Sequence, residues 1–326
     1  MWSTNHISLP REFSHCCQRL RAKTFRIQSS ENFRTDTMGK QPAIALHGGA
    51  GDLARYTGTG RLPEAETLMG DLVDRMHVRL MSGDSALDVA IAAVEVMEDC
   101  GLFHAGRGSS PTTNGRVEMD ASIMHGRDRR AGALAVAHTL KNPIRVAAHI
   151  MGSSVVMLAG EEADALAQDA GCEVIGPDYF LPCDDVGAWL PSSGTVGAVV
   201  LDSHGDIVAA TSTGGTLRKR AGRIGDTPVI GSGTYADNAV GAVSCTGVGE
   251  YFLRTSAASR IISRMQYLNE EPLAASMTIL SEIEALGGFG GMIVLDRYGR
   301  LAMPYNTTGM YRASIDADGN RIVGSI

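Results

Sequence analysis

The residues best suited to chemistry in this sequence are two threonines on either side of a predicted hairpin, Thr195 and Thr213. A three-residue loop over 203–205 places Asp202 opposite Asp206, with a glycine where left-handed backbone is favoured. Counted outward in this register, Thr195 lies opposite Thr213, and directly opposed residues hold their Cβ atoms about 4.5–5.5 Å apart. The spacing therefore predicts two hydroxyl groups in contact, although it also fits an ordinary cross-strand threonine pair.

The residues before Thr195 indicate how its hydroxyl can become a nucleophile. Threonine needs a base to remove its proton, and a free α-amine on the same residue has a suitable reference pKa of about 7.7–8.0. That amine exists only after the Gly194–Thr195 bond is cut. Gly194 permits backbone shapes that other residues resist, and residues 176–194 are predicted to form a surface linker. We therefore predict chain cleavage between Gly194 and Thr195.

Two other segments carry groups that an amide hydrolase needs. A strand that runs into a helix ends near Thr246 and Gly247, whose hydroxyl and N–H groups can stabilise a tetrahedral oxyanion. A glycine-flanked loop places Arg223 and Asp226 three positions apart, which suits the carboxylate and ammonium groups of one amino acid. Each segment also has a plainer interpretation. The first fits any strand-to-helix turn, and the second fits a surface ion pair of small energy.

Composition and missing motifs narrow the class of function. The net charge of −7 and the absence of long basic runs argue against a nucleic-acid partner. The chain contains no stretch of 18 or more apolar residues, so no membrane span is predicted. The phosphate-loop, nucleophile-elbow, zinc-protease and dinucleotide-binding signatures are absent. The six cysteines lack metal-ligand spacing, so we expect reduced thiols, a cytoplasmic location and no metal or cofactor.

Apolar periodicity predicts the elements that must position these groups. Strands are predicted over 43–47, 131–137, 154–158, 195–202, 207–213, 239–246, 292–296 and 300–304. Helices are predicted over 63–81, 85–100 with Asp84 as N-cap, 143–151, 161–170, 250–269 and 272–286. The remaining long stretch, 101–130, is predicted to consist of turns. Clustered strands with helices at their flanks favour an α+β fold in which helices pack outside two antiparallel sheets.

Residues 1–38 differ from the rest of the chain. They contain six basic and three acidic residues, whereas the whole chain has a net charge of −7. They lack the apolar segment of a secretory signal. Two explanations stay open: an upstream start codon with Met38 as the true first residue, or an organellar leader. In both cases these residues are an extension outside the domain.

Six segments closely resemble the plant-type L-asparaginase/isoaspartyl peptidase family in order and spacing. They are ALHGGAG at 45–51, GTVGAV at 194–199, TSTGG at 211–215, GRIGD at 222–226, SCTGVGE at 244–250 and NTTGMYR at 306–312. The resemblance covers about residues 41 to 313. It implies an N-terminal-nucleophile hydrolase with a four-layer αββα sandwich. It also implies autocleavage into an α chain (39–194) and a β chain (195–326) that stay together, usually as a dimer of αβ units.

The resemblance also implies a role for each candidate residue. It assigns catalysis to Thr195, Thr213, Thr246 and Gly247. It assigns substrate binding to Arg223, Ile224, Gly225, Asp226, Thr246, Gly247, Val248 and Gly249. Within these sets Thr195 is the nucleophile, Arg223 binds the substrate α-carboxylate and Asp226 binds its α-ammonium group. The implied reaction releases ammonia from L-asparagine, or an amino acid from a β-aspartyl dipeptide, through a β-aspartyl ester on Thr195.

Two positions depart from the family pattern. His104 in HAGRG (104–108) replaces a common asparagine, in a loop that often holds a structural sodium ion. Ala221 replaces a more usual proline, after a basic run (218–220) that we expect to add positive charge near the substrate. Two rival functions stay open, an aspartylglucosaminidase-like hydrolase and a catalytically silent homologue that binds an amino acid.

Overall fold

Two sheets and seven α-helices make up the part of the chain that the computed structural model describes, residues 40–180 and 194–326. The strands are β1 (Ala43–Gly51), β2 (Met119–His125), β3 (Ala131–Ala137), β4 (Met157–Ala159), β5 (Val196–Leu201), β6 (Ile207–Thr213), β7 (Thr234–Asp237), β8 (Gly241–Gly247), β9 (Gly290–Asp296), β10 (Leu301–Ala302), β11 (Gly309–Ile315) and β12 (Arg321–Gly324). The helices are α1 (Arg61–Met81), α2 (Ala86–Asp99), α3 (Pro143–Met151), α4 (Glu161–Asp164), α5 (Gly249–Thr255), α6 (Ala257–Leu268) and α7 (Pro272–Ala285). The predictions for 1–38 and for most of the 176–194 linker lie outside the described residues.

The larger sheet has eight strands in the order β12-β11-β1-β5-β6-β2-β3-β4. Its pairs are antiparallel except for β3 with β4. The smaller sheet has the order β10-β9-β8-β7 and is antiparallel throughout. The predicted α+β class with helices and two sheets is confirmed, and β5, which follows Thr195, lies in the middle of the larger sheet.

Three apolar clusters account for the packing of these elements. The first lies between the larger sheet and α1, α2 and α3, and it includes Leu46, Leu72 and Val94. The second joins the two sheets and contains many small side chains, among them Ala45 and Ala209. The third lies between the smaller sheet and α5, α6 and α7. Strand β5 contributes to the first two clusters, so its continuous apolar sequence reflects burial on both faces.

Several elements match the predicted bounds and others need correction. The strands over 131–137 and 207–213 and the helix over 143–151 are confirmed. The predicted N-cap Asp84 is wrong: Ser85 is the N-cap, and its Oγ accepts a hydrogen bond of 3.1 Å from the Asp88 N–H. Asp84 instead pairs with Arg79 at 2.6 Å.

The single helix predicted over 250–269 is also wrong. Ser256 has a left-handed backbone with φ of 48°, and it separates α5 from α6. The helix predicted over 161–170 ends at Asp164, although the apolar Ala163 and Ala167 are both buried as the pattern requires. Apolar periodicity thus identified the buried faces, but it did not show where the backbone leaves the helix.

The glycine run after His47 and the stretch 101–130 both contain more strand than predicted. Strand β1 continues to Gly51 through a bulge between His47 and Ala50, where Gly49 has φ of 108°. Strand β2 lies within 101–130 and is fully buried although it carries polar residues. Strands β7, β11 and β12 were not predicted.

Candidate active site

The predicted threonine pair is confirmed. Val196 pairs with Ser212 in the β5–β6 hairpin, and the same register places Thr195 opposite Thr213. The Thr195 hydroxyl donates a hydrogen bond of 3.1 Å to Thr213 Oγ1, which also accepts one of 2.9 Å from the Gly215 N–H. Both threonines are buried. Thr195 Oγ1 is therefore held at the head of a central strand, on the first residue after Gly194.

Close packing explains why position 194 is glycine. A Cβ atom at this position would lie 2.5 Å from His104 Cβ and 2.8 Å from His104 N. The close approach of His104 is therefore a sufficient reason for glycine at this position. His104, the departure from the family pattern, thus packs directly against the residue before the predicted cleavage site.

The proposed oxyanion residues lie at the carboxyl end of β8. Gly247 has φ of 149°, and a Cβ atom there would lie 2.5 Å from the Phe289 carbonyl oxygen, so a larger residue does not fit. The Thr246 hydroxyl is buried and accepts a hydrogen bond of 3.4 Å from the Ala50 N–H. The Val248 N–H donates a hydrogen bond of 3.0 Å to the Phe289 carbonyl, so this N–H is not free to bind an oxyanion.

A small cavity brings together residues from four of the six segments that resemble the family. It has an empty volume of about 230 Å³. Its lining consists of Gly194, Thr195, Thr213, Gly215, Thr216, Arg223, Asp226, Thr227 and Gly247. Among the other predicted substrate residues, Ile224 is exposed to solvent. Gly249 packs against the charged pair, since a Cβ atom there would lie 2.6 Å from Asp226 Oδ1.

The charged residues of the cavity do not fit the plainer interpretation of the 222–226 loop, an ion pair between Arg223 and Asp226. The Arg223 guanidinium makes two hydrogen bonds of 2.9 Å to the Glu250 carboxylate, a partner that the sequence analysis missed. The Asp226 side chain is buried, and its Oδ2 has no hydrogen-bond partner among the described residues. Burial raises the pKa of Asp226 to about 7. The cavity thus contains a buried acceptor suited to an ammonium group.

Three further charged residues support the loop that carries Arg223. Lys219 is buried and donates a hydrogen bond of 2.6 Å to the Glu118 carbonyl, and burial lowers the pKa of its ammonium group. The Glu118 carboxylate accepts from the Gly222 N–H at 2.9 Å. Burial also raises the pKa of Asp120. The basic run at 218–220 therefore does not place all of its charge at the substrate opening, because Lys219 points inward.

No group of three or more His, Cys, Asp or Glu side chains that could hold a metal ion occurs within 40–180 and 194–326. In the 104–108 loop the His104 carbonyl accepts a hydrogen bond of 2.6 Å from the Gly214 N–H. The expectation of no metal or cofactor stays a prediction, with a structural sodium ion in this loop as its open alternative. Among the described helices, none is long and apolar enough to cross a membrane.

Comparison with known proteins identifies the family. A family model described as asparaginase matches residues 40–192 and, in a second match, residues 184–324. The isoaspartyl peptidase of Escherichia coli is 41% identical, over 85% of this chain and 93% of that protein. The isoaspartyl peptidase of Salmonella typhimurium is 39% identical, over 83% and 94%. The plant-type L-asparaginase of Pyrobaculum calidifontis is 36% identical, over 82% and 95%. These matches confirm the predicted resemblance and the hydrolase class: the chain belongs to the asparaginase family of enzymes.

Proposed function

We propose that this protein is an autocleaving threonine amidohydrolase that acts on L-asparagine and on β-aspartyl dipeptides. The observation that carries the proposal is the 3.1 Å contact between Thr195 Oγ1 and Thr213 Oγ1, beside a cavity lined by Arg223 and Asp226, whose Oδ2 has no hydrogen-bond partner among the described residues. The relatives named isoaspartyl peptidase and plant-type L-asparaginase support the substrate class.

Autocleavage begins with attack of Thr195 Oγ1 on the carbonyl carbon of Gly194. The C–N bond of Gly194–Thr195 then breaks, the Thr195 nitrogen takes up a proton as an amine, and an ester links the two residues. Water hydrolyses this ester, which leaves a carboxylate on Gly194 and a free hydroxyl and amine on Thr195. The amine, with a reference pKa of about 7.7–8.0, serves as the base in later turnovers.

Substrate hydrolysis uses the same hydroxyl. The Arg223 guanidinium binds the substrate α-carboxylate and the Asp226 carboxylate binds the α-ammonium group. Thr195 Oγ1 attacks the side-chain amide carbon, and Thr246 and Gly247 donate hydrogen bonds to the oxyanion. Ammonia or an amino acid leaves with a proton from the Thr195 amine. Water then hydrolyses the β-aspartyl ester to release aspartate.

The proposal extends to the whole protein. We propose a four-layer αββα sandwich, which the three apolar clusters support because helices pack on the outer face of each sheet. Residues 39–194 and 195–326 form α and β chains that remain associated, usually as a dimer of αβ units. We also propose a cytoplasmic location and the absence of a cofactor, and we assign residues 1–38 as an extension outside the domain.

Intact mass of the purified protein beside Thr195→Ala tests the proposal. We expect two chains from the parent, one ending at Gly194 and one beginning at Thr195, and a single chain from T195A. Thr278→Ala on the exposed side of α7 is a matched control and should be cut like the parent. A parent that stays uncut after prolonged incubation would contradict autocleavage and favour the silent homologue.

Assays on three substrates then define the specificity. We expect the cut parent to release ammonia from L-asparagine and aspartate from β-aspartyl dipeptides, and T195A to release neither. Hydrolysis of glycosylated asparagine without hydrolysis of β-aspartyl dipeptides would instead identify an aspartylglucosaminidase-like enzyme.

A further inference from the structure

A fully buried histidine links the nucleophile residue to the oxyanion strand. His47 lies on β1, next to β5 in the larger sheet, and its Nδ1 is 3.0 Å from the Thr195 carbonyl oxygen. Its Nε2 is 2.9 Å from Ser244 Oγ, which belongs to β8 of the smaller sheet. Ser244 precedes Thr246 by two residues. One imidazole ring thus connects Thr195 to the strand that ends at Thr246 and Gly247.

The hydrogen bond between His47 and Ser244 requires glycine at position 197. Gly197 pairs with His47 across the β1–β5 ladder. A Cβ atom at Gly197 would collide with both His47 Nε2 and Ser244 Oγ. Only glycine at this position leaves room for the hydrogen bond between the ring and the hydroxyl, so the GTVGAV segment encodes the contact as well as the nucleophile.

The hydrogen bonds around His47 have a defined direction. The Thr195 carbonyl can only accept, so the proton of the ring must be on Nδ1. Burial lowers the pKa of His47 to about 3, which keeps the ring neutral and makes Nε2 an acceptor for the Ser244 hydroxyl. The Thr211 hydroxyl then donates to Ser244 Oγ at 2.7 Å, and the Thr234 hydroxyl donates to Thr211 Oγ1 at 2.6 Å. Every proton in this chain of hydroxyls points toward His47.

We propose that His47 is a positioning residue that fixes the Thr195 main chain relative to the oxyanion donors Thr246 and Gly247. This inference rests on the proposed function, because it requires Thr195 to be the nucleophile. Cleavage removes the covalent link on the amino side of Thr195, and noncovalent contacts must then hold the new terminus. The hydrogen bond from His47 Nδ1 holds the Thr195 carbonyl group, which is bonded directly to Cα. Because Cα also carries the side chain, this hydrogen bond limits displacement of Oγ1.

Two substitutions separate the two ends of the ring. In His47→Asn the amide nitrogen lies near the place of Nδ1 and can still donate to Thr195, whereas in His47→Gln the longer side chain reaches toward Ser244. A misplacement of about 1 Å can reduce turnover about 100-fold. We therefore expect H47Q to lower kcat on a β-aspartyl dipeptide about 100-fold with KM changed less than about threefold. H47N should retain kcat within about tenfold of the parent.

Each kcat is divided by the fraction of cut chain, measured by intact mass, and the melting temperature is recorded in parallel. Ser276→Ala, which removes a buried 2.6 Å hydroxyl bond within α7, shows how much kcat responds to lost stability alone. Equal losses of kcat in H47N and H47Q, or parental kcat in H47Q, would overturn the role of His47 while the proposed function stands. A parent that neither cuts itself nor hydrolyses the dipeptide would overturn the proposed function, and the role of His47 with it.

Discussion

Asp226 and Glu250 both interact electrostatically with Arg223, but the pKa values of the two carboxyl groups are shifted in opposite directions. The hydrogen bonds from Arg223 lower the pKa of Glu250. Burial raises the pKa of Asp226 to about 7, and its Oδ2 has no hydrogen-bond partner among the described residues. Asp226 is therefore the carboxylate of the cavity that changes charge near neutral pH, while Glu250 stays ionised.

The pKa of Asp226 predicts how substrate affinity depends on pH. The ionised carboxylate binds the substrate ammonium group, so KM for a β-aspartyl dipeptide should fall as pH rises toward about 7, by about tenfold per pH unit in the steepest part. Asp226→Asn should raise KM about ten- to hundredfold at neutral pH, the loss expected for a hydrogen bond to a charged group. It should also remove most of the pH dependence. Steady-state kinetics between about pH 5 and about pH 7 measure both effects.

Glu250→Gln is the matched control, because Glu250 is already ionised over this range. Its loss should keep the pH dependence of KM but move it to lower pH, since the charge of Glu250 helps to raise the pKa of Asp226. The folding stability of the free enzyme should decrease over the pH range in which substrate affinity increases. A carboxyl group whose pKa is raised on folding contributes most stability at acidic pH, and this contribution is lost as pH rises through about 7. A KM that does not change with pH in the parent would contradict the role of Asp226.

At the scale of elements, helices and strands were predicted correctly where the residues of the element itself determine its backbone conformation. The β5–β6 hairpin was predicted correctly because an apolar run, a three-residue loop and a glycine in the left-handed region all agree. The break at Ser256 was missed because serine carries no strong signal for left-handed backbone. Strand β2 was missed because its buried Asp120 and Ser122 interrupt the apolar pattern. The Ser122 hydroxyl donates to the Thr227 carbonyl, and Asp120 Oδ1 accepts from the Val136 N–H.

The residues of the candidate site also divide into those that local sequence predicts and those that it does not. Thr195, Thr213, Arg223 and Asp226 were identified from residue type and spacing, and the cavity brings them together. Glu250 and His47 were missed as partners because their contacts join residues far apart in sequence. Spacing predicts neighbours within one hairpin or loop, whereas contacts between elements far apart in sequence depend on packing that no local pattern encodes.

The start of α2 gives a prediction at this scale. The Ser85 hydroxyl accepts from the Asp88 N–H, so Ser85→Ala should lower the free energy of unfolding by about 1 kcal/mol, as expected for loss of an N-cap. Asp84→Ala removes a partly exposed pair with Arg79 and should cost less, about 0–1 kcal/mol. Urea unfolding of both variants in the T195A background, which keeps one chain, measures the difference. A larger loss in D84A would restore Asp84 as the cap.

At the scale of the whole molecule, the two sides of the predicted cleavage site are interleaved. Strand β1 from the N-terminal part lies between β11 and β5 from the C-terminal part. Strand β6 pairs with β2 in the same way. Cutting the Gly194–Thr195 bond removes no strand pairing, because Thr195 precedes β5 and Gly194 lies outside a strand. The fold therefore predicts that the two chains remain one cooperative unit after cleavage.

This arrangement predicts different refolding of cut and uncut protein. Both chains of the cut protein should elute together in native buffer at all concentrations tested, and both forms should unfold in a single transition, since each half supplies central strands of the same sheet. After full unfolding the cut protein must bring two molecules together, so its refolding rate should increase with protein concentration. T195A needs no such encounter to complete its sheets, so the rate of sheet formation should not depend on concentration, and only a later step of dimer assembly should. Refolding followed by fluorescence over a tenfold range of concentration tests this, and separation of the two chains in native buffer would show that the interleaved strands do not hold them together.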